Sequence, residues 1–98
     1  MGLPARRAKR IDANQPEIVQ ALRAAGVVVQ IVSEPCDLLC GHAGRFVTLE
    51  VKDGKKAPSK RRLTEAEQEY YDLCKSAGLP HYVVESVEQA YEAMGLIR

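Results

Sequence analysis

Apolar positions along the chain switch between two periods, and each switch marks an element boundary. From Gln15 the residues Ile18, Ala21, Leu22 and Ala25 recur at helical spacing. Asn14 or Gln15 serves as cap, Pro16 stands early, where its missing N–H costs nothing, and Gly26 is the stop. Residues 27–32, VVVQIV, are almost wholly apolar and β-branched, the pattern of a strand covered on both faces. Residues 33–35 turn the chain. Residues 36–40 are apolar apart from Asp37, residues 41–44 carry turn chemistry, and residues 45–51 alternate, which predicts two short strands joined by a turn. Thr64 and Glu67 fit a capping box that opens a second helix, with Ala66, Tyr70, Leu73 and Ala77 as its apolar stripe and Gly78 as its end. Residues 81–84 form a short strand. Ser86 and Gln89 make a second capping box, and Val87, Ala90, Tyr91 and Met94 give the last apolar face before Gly95. The expected order is α-β-β-β-α-β-α, an α/β (α+β) domain with a small mixed sheet flanked by helices.

Ninety-eight residues suit one domain, which buries roughly 60–70% of its unfolded surface. Residues 1–14 read as a basic, mobile arm and residues 15–98 as the single domain. No apolar run approaches the roughly 18 residues of a membrane span, and the basic N-terminus is not followed by a signal-peptide apolar region, so no membrane association and a cytoplasmic location are expected. Three cysteines make no disulfide framework and are read as reduced thiols. Cys36, Cys40 and His42 have a C-x3-C-x-H spacing, but zinc sites usually need a second ligand cluster, and Cys36 and Cys40 are expected to point into the core. There is no phosphate-binding glycine loop, nucleophile elbow or dinucleotide fingerprint, so no nucleotide cofactor is expected.

The net charge of +1 hides an uneven distribution. Arg6, Arg7, Lys9 and Arg10 give residues 1–10 a charge of +4; Lys52, Lys55, Lys56, Lys60, Arg61 and Arg62 against Asp53 give residues 52–62 a charge of +5. Residues 11–51 sum to −3 and residues 63–98 to −5. Two basic blocks on an otherwise acidic chain suit a nucleic-acid backbone, with a pair of solvated segments as the plainer alternative. Residues 53–63 are rich in turn formers and lack any period, so they read as a mobile basic loop able to order on DNA.

Candidate chemistry gathers in residues 35–52. In a strand over residues 45–51, alternation sends Thr48, Glu50 and Lys52 to one face and Val47, Leu49 and Val51 to the other. Pairing with the preceding strand brings Asp37 onto the face of Glu50. Two carboxylates converging there make a hard-oxygen site for a divalent cation, and a lysine beside them can hold or deprotonate a water.

At Pro35-Cys36-Asp37 and Glu50-Val51-Lys52 the chain resembles the PD-(D/E)XK nuclease superfamily, with Cys36 inserted between the proline and the acid. That family's core has the order α-β-β-β-α-β with its acids on the second and third strands, where Asp37 and Glu50 are expected. Within the superfamily the chain is similar to small stand-alone VRR-NUC-type nucleases carried by bacteriophages, through RIDANQPEIVQALRAAG at residues 10–26, CDLLCG at residues 36–41, LEVKDG at residues 49–54 and LTEAEQ at residues 63–68. The resemblance implies a metal-dependent endonuclease that hydrolyses DNA phosphodiesters in branched structures such as four-way junctions, working as a homodimer in a bacterial or phage-infected cell. It implies Mg2+ or Mn2+ held by Asp37, Glu50 and the carbonyl of Val51, with Glu17 from the first helix reaching the same ion or a second one. Lys52 then positions or deprotonates the water, and Gln68, or its neighbour Glu67, faces the site from the second helix. Plainer roles are a helix-dipole contact for Glu17 and solvation for Gln68. A DNA-binding module that keeps the fold with weak catalysis, and a protein-interaction module, are the alternative functions.

Overall fold

The computed structural model describes residues 11–97, and their first element, helix α1 (Gln15–Ala24), starts where Pro16 favours a first turn. Its buried side chains are Gln15, Ile18, Val19 and Leu22, so the packed stripe is turned from the expected one: Ala25 is exposed and Val19 is inside. Strands β1 (Val28–Ile31), β2 (Leu38–His42) and β3 (Arg45–Val51) follow as an antiparallel meander. A short 3-10 helix (Pro58–Lys60) and helix α2 (Glu65–Ala77) carry the chain to β4 (His81–Val84), which pairs parallel to β3; helix α3 (Val87–Ala93) closes the fold. The result is a four-stranded mixed sheet in the order β1-β2-β3-β4 with three helices. No helix among the described residues is long and apolar enough to cross a membrane.

Register sorts the side chains. Val29, Cys40 and Val47 lie side by side across three strands, as do Leu38 and Leu49, with Val51 and Val84 beyond. All are buried with Ile18, Val19 and Leu22 of α1 and Ala90 and Met94 of α3, so this face of the sheet carries the main apolar core. The β2–β3 hairpin closes on Ala43 and Gly44, both at positive φ (53° and 80°), as a two-residue turn between right-twisted strands requires.

Strand β1 is an edge strand, not one covered on both faces. Val28 is 71% exposed and Ile31 49% exposed. Local β propensity announces a strand but says nothing about its neighbours, and among the described residues no strand pairs with its outer side.

On the other face of the sheet sits α2, opened by the expected capping box: the Glu67 N–H donates to Thr64 Oγ1 (3.2 Å) and the Thr64 N–H to Glu67 Oε1 (2.8 Å). Gly78 ends the helix at φ 70°, a left-handed conformation that costs glycine little. The helix is rotated from its expected stripe. Leu73 is 68% exposed and Ala66 and Ala77 face solvent, whereas Glu67, Tyr70, Tyr71 and Cys74 approach the sheet. The second predicted capping box is half formed: the Gln89 N–H donates to Ser86 Oγ, but Gln89 Oε1 accepts from the N–H of Glu85 instead of Ser86.

His81 is the hub of this second layer. Its Nδ1 lies 2.7 Å from Thr48 Oγ1, and its ring meets Tyr70 edge-on with centroids 4.8 Å apart. Burial pushes its pKa below the usual 6.5, against the opposing hydrogen bond from Thr48. Below the unfolded-state pKa the unfolded chain therefore binds a proton that the folded chain resists, and stability falls as pH drops from about 6.5 toward the lowered folded value, with no contribution above it. Thermal melts between about pH 8 and about pH 5 are expected to lose midpoint on the acid side, and His81→Gln to flatten that limb. An unchanged slope in His81→Gln would remove His81 as the cause.

Candidate functional site

Alternation along β3 delivers Glu50 and Lys52 to the α2 face while Leu49 and Val51 anchor the strand in the apolar core. Asp37 arrives immediately before β2. Its N–H donates to the Leu49 carbonyl (3.2 Å) and its Oδ2 accepts the N–H of Val51 (2.7 Å), so it grips β3 on either side of Glu50. Asp37 is 5% and Glu50 2% exposed. Lys52 Nζ lies 4.0 Å from Glu50 Oε2 and donates to Glu67 Oε1 at 2.8 Å.

Glu67 is thus the residue that α2 contributes. Burial alone would raise its pKa, but the hydrogen bond from Lys52, the Thr64 N–H, a hydrogen bond with Glu50 and the Lys52 charge hold it down at about 2. Gln68 is not in the cluster: its Nε2 donates to Asp72 Oδ1 at 3.0 Å on the exposed flank of the helix. One residue is about 100° of helix rotation, and the capping box fixes which neighbour turns back toward the strand end.

Glu17 is exposed and lines a separate cleft of about 590 Å³, together with Asp53, Lys55, Glu85 and Glu88, which includes neither Asp37 nor Glu50. The link from α1 to the site is Asn14. Instead of capping its helix, it donates from Nδ2 to the carbonyls of Lys52 (3.0 Å) and Glu85 (3.0 Å), pinning the ends of β3 and β4. Its sequence signal was that of a cap, and nothing local marks such a distant bond.

Residues 53–63 carry more structure than the irregular basic loop expected. Besides the 3-10 helix, the Lys56 N–H closes a turn onto the Asp53 carbonyl (3.1 Å), Lys56 pairs with Asp12 (2.9 Å) and Arg61 with Glu85 (3.2 Å). Lys55, Lys60 and Arg62 are exposed. Arg6, Arg7, Lys9 and Arg10, the other basic block, lie outside the described residues.

The donor atoms suit one kind of ion. Among the described residues no three His, Cys, Asp or Glu side chains form a group able to hold a metal. The register of β2 and β3 nevertheless sets Asp37 opposite Glu50 on one face of the sheet, where a backbone carbonyl can join them. The Lys52 N–H donates to Val84 and the Lys52 carbonyl accepts from Asn14, on the β4 side, so by strand alternation the peptide groups of Val51 turn toward Asp37. Asp37, Glu50 and the Val51 carbonyl are hard oxygen donors, the small set that fits Mg2+, an ion that keeps several of its waters. Glu17 does not belong to this set.

Compared with protein-family models, with curated proteins and with solved structures, the chain shows no significant match.

Proposed function

We propose that the chain is a metal-dependent DNA endonuclease of PD-(D/E)XK type, selective for branched DNA and acting as a homodimer. The observation that carries this reading is the meeting of Asp37, Glu50 and Lys52 at one strand end, with Asp37 hydrogen-bonded to the strand on both sides of Glu50. Its order of elements agrees with that of the superfamily core, and the basic segment 52–62 leaves directly from Lys52.

In this reading Asp37, Glu50 and the Val51 carbonyl hold the ion and so fix where the scissile phosphate docks. A bound Mg2+ or Mn2+ supplies charge stabilisation at that phosphate and acidifies its water. Lys52 donates to the attacking water or takes its proton, and Glu67 keeps the ammonium at the height of Glu50. The exposed cations of residues 53–63 contact the DNA backbone without reading sequence.

One observation favours the alternative of a DNA-binding module with weak catalysis: both acids are buried and Lys52 is occupied by Glu67. Cleavage of labelled four-way junction, flap, single-stranded and duplex DNA with Mg2+, Mn2+ or EDTA separates the two. The nuclease reading expects metal-dependent cutting of branched DNA that EDTA stops. Salt-sensitive binding with no cutting under either metal would sink it in favour of the binding module.

A further inference from the structure

We propose that Asn14 is a positioning residue for the site at the end of β3: its side-chain amide stands in for the last rung of the β3–β4 ladder and holds the backbone from which Lys52 reaches Glu50. The effect on rate rests on the cleavage reading; the tie itself is measured without cutting DNA.

The ladder shows where support is needed. Parallel pairing joins the Thr48 N–H to the Pro80 carbonyl (3.1 Å) and the Lys52 N–H to the Val84 carbonyl (2.9 Å). The next rung in this register runs from the Ser86 N–H to the Lys52 carbonyl. Ser86 instead opens α3, its hydroxyl accepting the Gln89 N–H, and β4 stops at Val84. Past Lys52 the chain turns at once, with the Lys56 N–H on the Asp53 carbonyl. Lys52 therefore stands at a strand end, where local opening costs little.

Asn14 meets this need with an unusual donor. Its Nδ2 donates to the Lys52 carbonyl and to the Glu85 carbonyl, both at 3.0 Å, so two acceptors face one nitrogen that carries two hydrogens. The same amide leaves its Oδ1 buried without a donor, a cost accepted for aiming both hydrogens at the strand ends. Ionised Asp has the same shape but only acceptors, and Ser offers one hydrogen. Nor is Asn14 a helix cap: it makes no side-chain cap bond, and its φ of −86° and ψ of −5° are helical, not extended. Its anchor is firm, because Ile18 and Leu22 of α1 are fully buried against the sheet. The Lys52 side chain leaves on the opposite face, toward Glu67 and Glu50. A residue from the layer of α1 thus acts on a site in the layer of α2 through a backbone carbonyl.

Asn14→Asp tests the tie. Asp caps a helix as well as Asn does and is favoured at a helix start, so a cap role predicts no loss. As the tie, Asn14→Asp sets a carboxylate against two carbonyls. The Lys52 amide should then exchange with deuterium about tenfold faster, while the Val51 amide, held from the other side by Asp37, and the Leu22 amide within α1 change less than about threefold. With four-way junction DNA and Mg2+, kcat should fall about 10–100-fold, the range for a small misplacement of a reacting group, with KM within about threefold of wild type. In a Lys52→Ala background the same change should cost less than about threefold more, because Asn14 acts through Lys52. Asn14→Ser, which keeps one hydrogen, should show the same pattern at smaller size. The proposal is overturned by an unchanged kcat, by exchange that rises equally throughout the chain, or by full additivity with Lys52→Ala. If wild type cuts no DNA, the cleavage reading falls on its own account; local exchange at Lys52 then upholds the tie, and its absence overturns it.

Discussion

Lys52→Ala is expected to lower DNA cleavage by roughly 10²–10⁴-fold, the range for removing a group that moves or orients a proton in the transition state. The structure adds a second effect that must be separated from the first. The Lys52 ammonium lies against Glu67 at 2.8 Å and Glu50 at 4.0 Å, with both carboxylates largely shielded from water. Deleting the cation removes the one positive charge set against both acids, which is expected to cost about 2–3 kcal/mol of folding stability, somewhat below the range for a fully buried pair. A loss of activity in Lys52→Ala could then reflect a loosened site. Lys52→Met combined with Glu67→Gln removes the charge and its counter-charge together, so most of the stability should return in urea unfolding while cleavage stays lost. DNA affinity at fixed salt should stay within about threefold of wild type in both variants, because the exposed cations of residues 53–63 remain. Recovery of cleavage in the double variant would show that Lys52 acts by stabilising the site. Parallel loss of affinity and cleavage would make it a phosphate-holding residue.

The order of elements was legible because each element keeps one period over its length, and the turns carry residues that interrupt it. Gly78 and the Thr64–Glu67 capping box mark α2 unambiguously. The face that α2 buries was not legible, for a physical reason. It packs on the side of the sheet carrying Thr48, Glu50, Lys52 and His81, so its inward stripe is itself mixed: Glu67 to Lys52, Tyr70 to His81, and Cys74 buried. A search for apolar periodicity selects Leu73 in preference to Glu67, and the sheet selects the reverse. The grouping of Asp37 with Glu50 and Lys52 could be read from alternation and hairpin pairing, which are local rules. The edge position of β1 and the reach of Asn14 to Lys52 and Glu85 depend on strand order and on helix placement, which no window of the sequence contains.

Asp37 allows the chemical and structural roles of a carboxylate to be separated by the choice of substitution. Its Oδ2 accepts the Val51 N–H at 2.7 Å in a buried setting, a short bond to a charged acceptor that holds the end of β2 against β3. Asparagine keeps a carbonyl oxygen of the same reach, so Asp37→Asn should retain that bond and lose no more than about 1 kcal/mol in urea unfolding. It removes a negative charge from the oxygen set proposed for the ion, so Mn2+ binding measured by calorimetry should weaken by roughly tenfold or more and cleavage should fall at least as far. Asp37→Ala leaves the Val51 N–H buried without its acceptor, which is expected to cost about 1–3 kcal/mol in addition to the same catalytic loss. The two variants should therefore match in activity and differ in stability. If Asp37→Asn cleaves as wild type does, the carboxylate serves only to tie β2 to β3, and an ion at this strand end would have to be held without it. If Asp37→Asn loses cleavage yet binds Mn2+ unchanged, the charge acts on the substrate phosphate or its water, and the ion-holding role passes to Glu50 and the Val51 carbonyl.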